Sequence, residues 1–538
     1  SADSEEQQLL NYLRGKHLLL VLDNFEHLLD GIGLVDRILA TAPDVRIIAT
    51  SREALNLDWE WRYDVPGLVT PSADCDFEKA DAVRLFAERA RRAQPAFRVA
   101  DERACVVDLC QRVEGMPLGI ELAAAWLRVL PCSEIAGELL DLENPSRQAA
   151  ERHLSLRAVF DQTWARLTER EQHAFMALSV FRGGFTRQAG EGVTGAALPT
   201  FAGLVHKALL RRHPHTGRYE VHELLRQYAE ARLGASGEAQ RVRDAHSQYY
   251  LEALAAREAG LKSAQEVQTL ASIGSDIENA RAAWFWAITR ERFDAVGRAM
   301  WALLIFFTLR HRTADGEEAI GALVRALEID QPAGLRGVLL GRALAYLGDF
   351  KMHLQERSTL YDSSLAILRR LGGKAEIAYP LSGLAGCAIQ RGDFKQAQSL
   401  WEEALTVAQA HGDLWLIASI KGWLGFLLSV QMGALEDAEP LLREALAMAT
   451  TLGSPGFIAI SSLQLAALAG MRGNYSEAQR LNLEALAMFR EIGHQRMAAQ
   501  TLGNMGWYSY VAGEYEQSLR YLQQALVILD EIGCPELF

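Results

Sequence analysis

Between Gly392 and Gly533 the chain repeats itself at a nearly fixed step, and that step restricts its fold more than any other feature. Gly392-Asp393-Phe394-Lys395-Gln396-Ala397 returns as Gly433…Ala438, then as Gly473-Asn474-Tyr475-Ser476-Glu477-Ala478, then as Gly513-Glu514-Tyr515-Glu516-Gln517-Ser518. The step is about 40 residues, a solenoid-type period, and its first interval is one residue longer than the other two. Ala404-Leu405, Ala445-Leu446, Ala485-Leu486 and Ala525-Leu526 keep the step, as do Gly412, Gly453, Gly493 and Gly533. Small residues (Gly341, Ala385, Gly425, Ala466, Gly506) stand seven or eight positions before each glycine turn. An earlier unit begins at Gly348-Asp349-Phe350, offset by a few residues more than the common step, and a more degenerate one surrounds Gly316-Glu317-Glu318-Ala319. Each unit reads as two antiparallel helices, the small residue letting the second approach the first and the glycine making the turn. Such a pair cannot bury its apolar face alone, so the units are expected to stack into a right-handed solenoid with a concave face.

Composition excludes several classes. At ~100–200 residues per domain, 538 residues predict three to five domains. Hydrophobic content of 49% and charged content of 23% are those of a globular protein. No stretch reaches the ~18 uninterrupted apolar residues of a membrane helix, and SADSEEQQLL does not read as a signal peptide. Cys75, Cys105, Cys110, Cys132, Cys387 and Cys534 form no CxxC pair and read as reduced thiols of a cytoplasmic protein. The net charge of −13 argues against a protein that coats nucleic acid or an anionic membrane.

The N-terminal region carries a different pattern. Leu18 to Leu22 is too short for a helix and reads as a strand buried on both faces, as in a parallel sheet packed between helices. A second strand follows at Val45 to Ala49, after an amphipathic helical segment over roughly residues 25–40. Ligands of open α/β sheets gather at the carboxyl ends of strands, which places Asp23 and Thr50-Ser51-Arg52 on one edge. An aspartate there suits a Mg2+ bridging nucleotide phosphates, and an arginine suits bidentate phosphate contact; alone, Asp23 could equally start the next helix. Farther on, Gly115-Met116-Pro117 heads a helix, where proline is tolerated in the first turn.

VLDNFEH, IIATSRE and EGMPLGIELAA together resemble the Walker B, sensor-1 and GxP motifs of the STAND class, signal transduction ATPases with numerous domains. The match is to the NB-ARC-like branch of bacterial regulators. The resemblance implies that ATP or ADP binds with Mg2+, with Asp23 holding the metal, Arg52 sensing the γ-phosphate and Pro117 packing on the adenine. Asn24 and Thr50 count with them as cofactor-binding. WRYDVPGLVTP resembles the family's exit from the sheet into a small helical domain, and residues 75–142 read as four short helices.

Two departures qualify the resemblance. No GxxxxGK[ST] occurs; Gly15-Lys16-His17 and Gly373-Lys374-Ala375 lack the spacing and the hydroxyl. Without that loop the phosphates lack their cradle, so this chain alone is expected to bind no nucleotide tightly. It reads as a fragment lacking its N-terminal part or as a natural form without the loop. Asn24 also stands where hydrolytic relatives often carry an acid, and it cannot serve as a general base. The intact protein is then at most a slow ATPase.

In the middle, Thr168-Glu169-Arg170-Glu171 has the form of a capping box, and helices followed by the turn His213-Pro214-His215-Thr216-Gly217 and a strand over 218–221 suggest a winged helix. Lys207, Arg211, Arg212 and Arg218 make this region basic, yet the helix that would enter a DNA groove, residues 201–210, offers only His206 and Lys207. Val221-His222-Glu223-Leu224-Leu225 resembles the MHD-type motif, whose histidine touches the diphosphate of bound ADP in that family; a histidine satisfied by local backbone is the plain alternative. IGSDIENARAAWFWAI resembles the family's helical connector, with Trp284 and Trp286 packing, and the C-terminal units resemble tetratricopeptide repeats in a lengthened form. Trp415, Trp423, Trp507, Tyr508 and Tyr510 are candidate ligand aromatics on the concave face, or core.

The expected architecture is multidomain and mainly α: part of an α/β nucleotide domain (1–70), a small helical domain (71–150), a winged helix (151–235), a connector with a degenerate repeat (236–335) and an α-solenoid of tetratricopeptide-like repeats (336–538). The leading functional reading is a cytoplasmic, nucleotide-regulated signalling switch whose repeats sense a protein or small-molecule inducer, with oligomerisation on activation. A repeat scaffold with a vestigial ATPase and a winged-helix DNA-binding regulator are the alternatives.

Overall fold

The computed structural model describes residues 5–23, 25, 28, 31–51, 55, 57, 59–63, 65, 67–71, 77, 80–113, 115–128, 130–138, 159–328 and 333–532. The chain divides into two compact units, residues 1–88 with 99–120 and residues 89–98 with 121–538.

The first unit holds the expected strand, helix, strand. β1 (Leu18–Leu22) and β2 (Val45–Ala49) pair in parallel, Leu18 opposite Val45 through Leu22 opposite Ala49. Helices Glu5–Leu13 and Ile32–Thr41 cover one face, where Leu10, Leu13, Ile38, Ala42 and Val45 form a core under Leu18, Leu20 and Ile47. The other face is open: Leu19, Val21 and Ile48 are 55, 63 and 53% exposed. This corrects the expectation of burial on both faces, because among the described residues only one face has helices packed over it. The four short helices are Asp81–Ala93, Arg103–Arg112, Pro117–Trp126 and Cys132–Glu138. Cys110 and Cys387 are free and buried, but Cys105 and Cys132 are disulfide-bonded, against the expectation of thiols throughout. Bridging depends on a Cα separation of ~4.4–6.8 Å, which sequence spacing does not reveal.

In the second unit Thr168 caps helix Glu169–Leu178 as expected: its hydroxyl accepts from the Glu171 N–H while the Glu171 carboxylate accepts from the Thr168 N–H at 2.8 Å. Helices Arg187–Thr194 and Leu198–His206 follow, then an antiparallel hairpin of β3 (Arg211–Arg212) and β4 (Tyr219–Glu220), with Phe185 bridged to Tyr219. The last of these helices stops at His206, short of the expected Leu210, because Ala208 adopts a left-handed φ of 58° and turns the chain into β3.

The connector is helix Glu266–Thr289, paired with Ala239–Leu261. Its polar residues fasten the hairpin module to the connector and its partner helix. Asp276, 8% exposed at its side chain, accepts from Arg218 at 2.7 Å and from Arg257 at 2.9 Å. The Asn279 carbonyl oxygen accepts the Arg182 N–H at 2.7 Å and contacts His246 Nε2 at 3.2 Å, while its amide donates to the Gly184 carbonyl at 3.3 Å. Trp284 and Trp286 pack as expected and donate to the Ala319 carbonyl and to Asp244, both at 2.9 Å.

Beyond it lie pairs Phe293–Leu309 with Thr313–Leu327 and Gly334–Phe350 with Leu354–Arg370. Ala378–Gln390 with Phe394–His411, Leu414–Phe426 with Leu435–Leu452, Pro455–Met471 with Tyr475–Ile492, and Gln495–Val511 with Tyr515–Glu531 complete the solenoid. The small residues act as the sequence implied. A Cβ on Gly341, Gly425 or Gly506 would stand 2.6, 2.7 or 2.8 Å from Leu368, Leu442 or Leu522 of the facing helix. Gly316 and Gly348 are not turns; both lie inside helices, with Phe350 and Tyr361 packed against them. The single longer interval has a structural cause. Ala385 and Gly425 keep the common step, so the extra residue falls between Gly425 and Gly433, where Leu427–Gln431 forms a π-helical turn that absorbs it without breaking the helix. Among the described residues one apolar helical stretch, Leu414–Gln431, is long enough to cross a membrane, and half of it is buried in the solenoid.

Burial holds the His246 imidazole down to about 4 from its usual 6.5, with the Asn279 bond opposing and the Arg182 charge adding to the effect. Its neutral form is the folded form, so the contribution is complete above pH 6.5 and is lost as pH falls toward 4, where the unfolded chain takes the proton first. Chemical denaturation of the chain should show this site costing about 2 kcal/mol at pH 5 relative to pH 7.5. His246→Gln should remove that part of the pH slope; an unchanged slope refutes the assignment.

Candidate functional site

The strand edge comes first. The Thr50 N–H donates to the Leu22 carbonyl at 2.9 Å and the Phe25 N–H donates to the Thr50 carbonyl at 2.9 Å, so the chain ends of β1 and β2 are laced together. The Thr50 hydroxyl donates to the Asp23 carboxylate, and both side chains are exposed. Asn24 and Arg52 lie outside the described residues. Pro117 opens helix Pro117–Trp126 from an exposed position. Gly115 before it has φ 68°, and the Leu68 N–H donates to its carbonyl at 2.8 Å; a Cβ there would meet the Leu68 carbonyl oxygen at 2.1 Å, so only glycine fits. Thus the GMP turn and the exit segment that ends in Leu68 are bound to each other. For a Mg2+ the edge offers one carboxylate and one hydroxyl, and among the described residues no group of three or more potential ligands gathers. Mg2+ is commonly held by one or two carboxylates, water and the phosphates of its nucleotide, so the donor set fits half of such a site and cannot hold the ion alone.

His222 is exposed and caps helix Glu223–Ser236, its Nδ1 accepting from the Leu224 N–H at 3.3 Å. That bond leaves Nε2 as the protonated, donating nitrogen of the neutral ring. Beside it the Arg226 guanidinium bonds Glu223 and Glu230, both at 2.7 Å, and its bond to Glu223 holds that carboxylate down at about 2. Two of the four basic residues of the hairpin region are already engaged, Lys207 with Glu171 at 2.6 Å and Arg218 with Asp276. Arg211 and Arg212 remain exposed on β3.

The solenoid contributes a feature that the sequence did not announce. The turn before helix Glu266–Thr289 lies against the turn before helix Pro455–Met471, 188 residues away. Glu266, 3% exposed, accepts from the Ser454 hydroxyl at 2.8 Å and from the Gly456 N–H at 2.9 Å. Ser454 in turn caps its own helix, accepting from the Phe457 N–H at 3.3 Å. A Cβ on Gly456 would stand 2.7 Å from the Glu266 carboxylate, and one on Gly453, at φ 76°, 3.4 Å from Ala264. The early helices are thus joined to the late repeats along a seam. Burial pushes the Glu266 carboxyl up from the usual range while its two donors pull it down.

Aromatics fill the inside of this turn. The Trp415 ring stands edge-on to Trp301 at 5.6 Å and 5.5 Å from Phe457, and Lys262 sits 4.2 Å over Trp301. Trp415 is therefore packing, and Tyr508 is wedged against Gly470. Trp423 is partly open, and Trp507 and Tyr510 stand exposed on the last pair, 6.1 Å apart.

Residues 457–531 match the tetratricopeptide repeat family. The late helix pairs are tetratricopeptide repeats. A Mycobacterium tuberculosis protein provisionally named an HTH-type transcriptional regulator is 31% identical over 499 residues, covering 88% of this chain and 55% of its own length. An uncharacterised protein of the same organism is 35% identical over 251 residues, 44% of this chain and 62% of that protein. The chain therefore spans about half the length of the first of these curated relatives. Among solved structures, a STAND protein with a tetratricopeptide repeat sensor from Pyrococcus horikoshii is 14% identical with a TM-score of 0.36, covering 98% of this chain and 84% of that one. A Rap protein complexed with competence and sporulation factor is 15% identical with a TM-score of 0.39, covering 55% of this chain and 78% of that one.

Glu266→Ala should cost about 2–3 kcal/mol in urea denaturation, since it strands a buried hydroxyl and a buried N–H. Glu266→Gln, which retains an acceptor, should cost less. Hydrogen exchange at Gly456 should accelerate in the alanine variant while the Asn279 joint stays protected; protection at Gly456 equal to wild type would show that the seam is held by other contacts.

Proposed function

We propose that this chain is the sensing and switching part of a nucleotide-regulated signalling protein of the STAND type, in which the repeats receive a ligand or partner protein. The observation that carries this reading is the Asp23–Thr50 pair on the carboxyl edge of two parallel strands. It has the acid and hydroxyl of a Mg2+-nucleotide edge, while nothing in the sequence supplies the phosphate loop. The uncovered apolar face of Leu19, Val21 and Ile48 supports the same reading, because parallel sheets are stable with both faces covered. The intact protein would add the missing layer and the loop, and would work in the cytoplasm.

A regulator of transcription is the form of signalling we favour, from the name of the relative that shares 499 residues. That name does not place the DNA-contacting part within the shared half. In this chain Lys207 and Arg218 serve ion pairs, which disfavours the hairpin module as the DNA reader.

The chain by itself should bind a fluorescent ADP analogue more weakly than millimolar, since the loop amides and lysine that make most diphosphate contacts are absent. Micromolar binding would overturn this. In the intact protein, Asp23→Ala should abolish Mg2+-dependent ATP binding. His222→Ala should speed ADP release roughly tenfold or more, the share of one charge-assisted hydrogen bond of ~1.5–3 kcal/mol. An unchanged off-rate would reduce His222 to the helix cap seen here.

A further inference from the structure

One acid of the repeats has lost the structural task that its counterparts perform. In Gly392-Asp393-Phe394 the aspartate precedes helix Phe394–His411 and caps it, its carboxylate accepting from the Gln396 N–H at 3.0 Å. Asn474 caps helix Tyr475–Ile492 in the same way, accepting from the Glu477 N–H at 3.3 Å. Gly348-Asp349-Phe350 repeats the motif, but all three residues lie inside helix Gly334–Phe350, and the next helix, Leu354–Arg370, starts without a side-chain cap. Asp349 therefore stands in the last turn of its helix, which holds no basic residue. A helix end of this polarity disfavours an anion and favours a cation. Lys351, just beyond, is paired with Glu317.

The surroundings of this acid are nonetheless built around it. Tyr361 donates its hydroxyl to one Asp349 carboxylate oxygen and Tyr379 donates to the other. Tyr361 is 1% exposed and reaches the acid because two glycines make room: a Cβ on Gly348 would stand 3.0 Å from its ring, and one on Gly383 2.5 Å. The half-buried Tyr379 ring is backed edge-on by Tyr346 at 4.8 Å. Asp349 itself stays open to solvent and has no ion-pair partner among the described residues. An ionised carboxylate has about four acceptor positions, so two phenols leave part of its capacity free. The protein around it strips enough water to push its carboxyl above the usual range, although the two hydroxyls and the Arg357 charge pull it down. Arg342, one turn or two earlier on the same helix, is engaged with Glu376 at 3.5 Å. The group is short of positive charge.

We propose that Asp349 and Tyr379 form a binding site for an organic cation, an ammonium or guanidinium group, with Tyr346 and Tyr361 holding the two in place. The carboxylate supplies charge and acceptors, the Tyr379 ring supplies the quadrupole that attracts a cation, and the last carbonyls of helix Gly334–Phe350 add partial negative charge. A metal ion fits less well, since no group of three or more potential ligands gathers among the described residues. The inference rests on the reading that the repeats receive a ligand, and it gives that ligand a chemistry: one basic group, free in solution or carried on a partner's lysine or arginine.

Calorimetric titration of the full chain tests this, with L-arginine amide in one arm, an acetylated tripeptide amide with a central arginine in the other, and potassium chloride at matched ionic strength as the baseline. A probe should bind saturably and raise the melting temperature beyond the salt control. Asp349→Asn, which keeps an acceptor and removes the charge, should weaken binding roughly tenfold or more. Because the fold disfavours this acid, the same variant should melt in potassium chloride no lower than the wild type. Tyr379→Leu, which removes the exposed ring, should weaken binding severalfold. Equal affinity for both probes assigns the site to a free cation; a tenfold preference for the tripeptide that Asp349→Asn abolishes assigns it to a partner's side chain. The proposal fails if neither probe exceeds the salt control, or if Asp349→Asn melts lower while binding as the wild type does. No nucleotide takes part, so such a failure overturns the cation site alone and leaves the switch reading to the ADP measurements.

Discussion

A helix pair covers its own apolar face only by leaning on another pair, and from residue 239 onward the molecule is arranged around that requirement. Pairs are brought into contact by a small residue at the crossing, glycine at Gly341, Gly425 and Gly506 and alanine at Ala385 and Ala466, and each contact adds to the next. A stack built this way ordinarily has two free ends and no long-range ties. Here the ends of early and late helices meet, and the tie is polar: Glu266 against the Ser454 hydroxyl and the Gly456 amide. A carboxylate so deeply buried is tolerated because both donors are fixed by the helix start they belong to. The inner aromatic contacts of Trp301, Trp415 and Phe457 complete the same closure.

Most of the local architecture was legible in the residues because it is set by short-range rules. The period, the small residue at each crossing and the capping box at Thr168 all stand where their spacing implies. Even the one irregular interval had a local meaning, the π-helical turn at Leu427–Gln431. What the sequence could not show is long-range. Nothing in IGSDIENARAAWFWAI or its flanks marks Glu266 as the partner of Ser454, since neither residue belongs to a motif. Gly348 looks like its counterpart Gly392 yet is helical, because Tyr361 packs against it and the turn moves past Phe350.

The candidate site was legible in part for a related reason. Asp23 and Thr50 share an edge because parallel strands of equal length must bring their ends together. Pro117 and Gly115 were legible as a helix start, whereas the closeness of Gly115 to Leu68 needed coordinates. The basic look of the hairpin module was misleading in composition alone: Lys207 and Arg218 are spent on Glu171 and Asp276, neither of which is near them in sequence. His222 stands free of any core, so its capping bond is compatible with a second use of the ring.

The seam also bears on how the chain reaches this state. A stack of helix pairs assembles through contacts about 40 residues apart, each nucleated by its neighbour. The bond from Glu266 to Ser454 instead closes a loop of 188 residues. That is a little over two doublings in length, an added chain entropy of only about 1.3 kcal/mol, so distance alone does not forbid the closure. Its timing is another matter: the ring can shut only when every intervening pair has docked at its proper angle. An error of one residue anywhere between, including at the π-helical turn, would rotate the late turns away from the early ones. The closure therefore serves as a check on the whole assembly, and a chain that has passed it has its repeats in register.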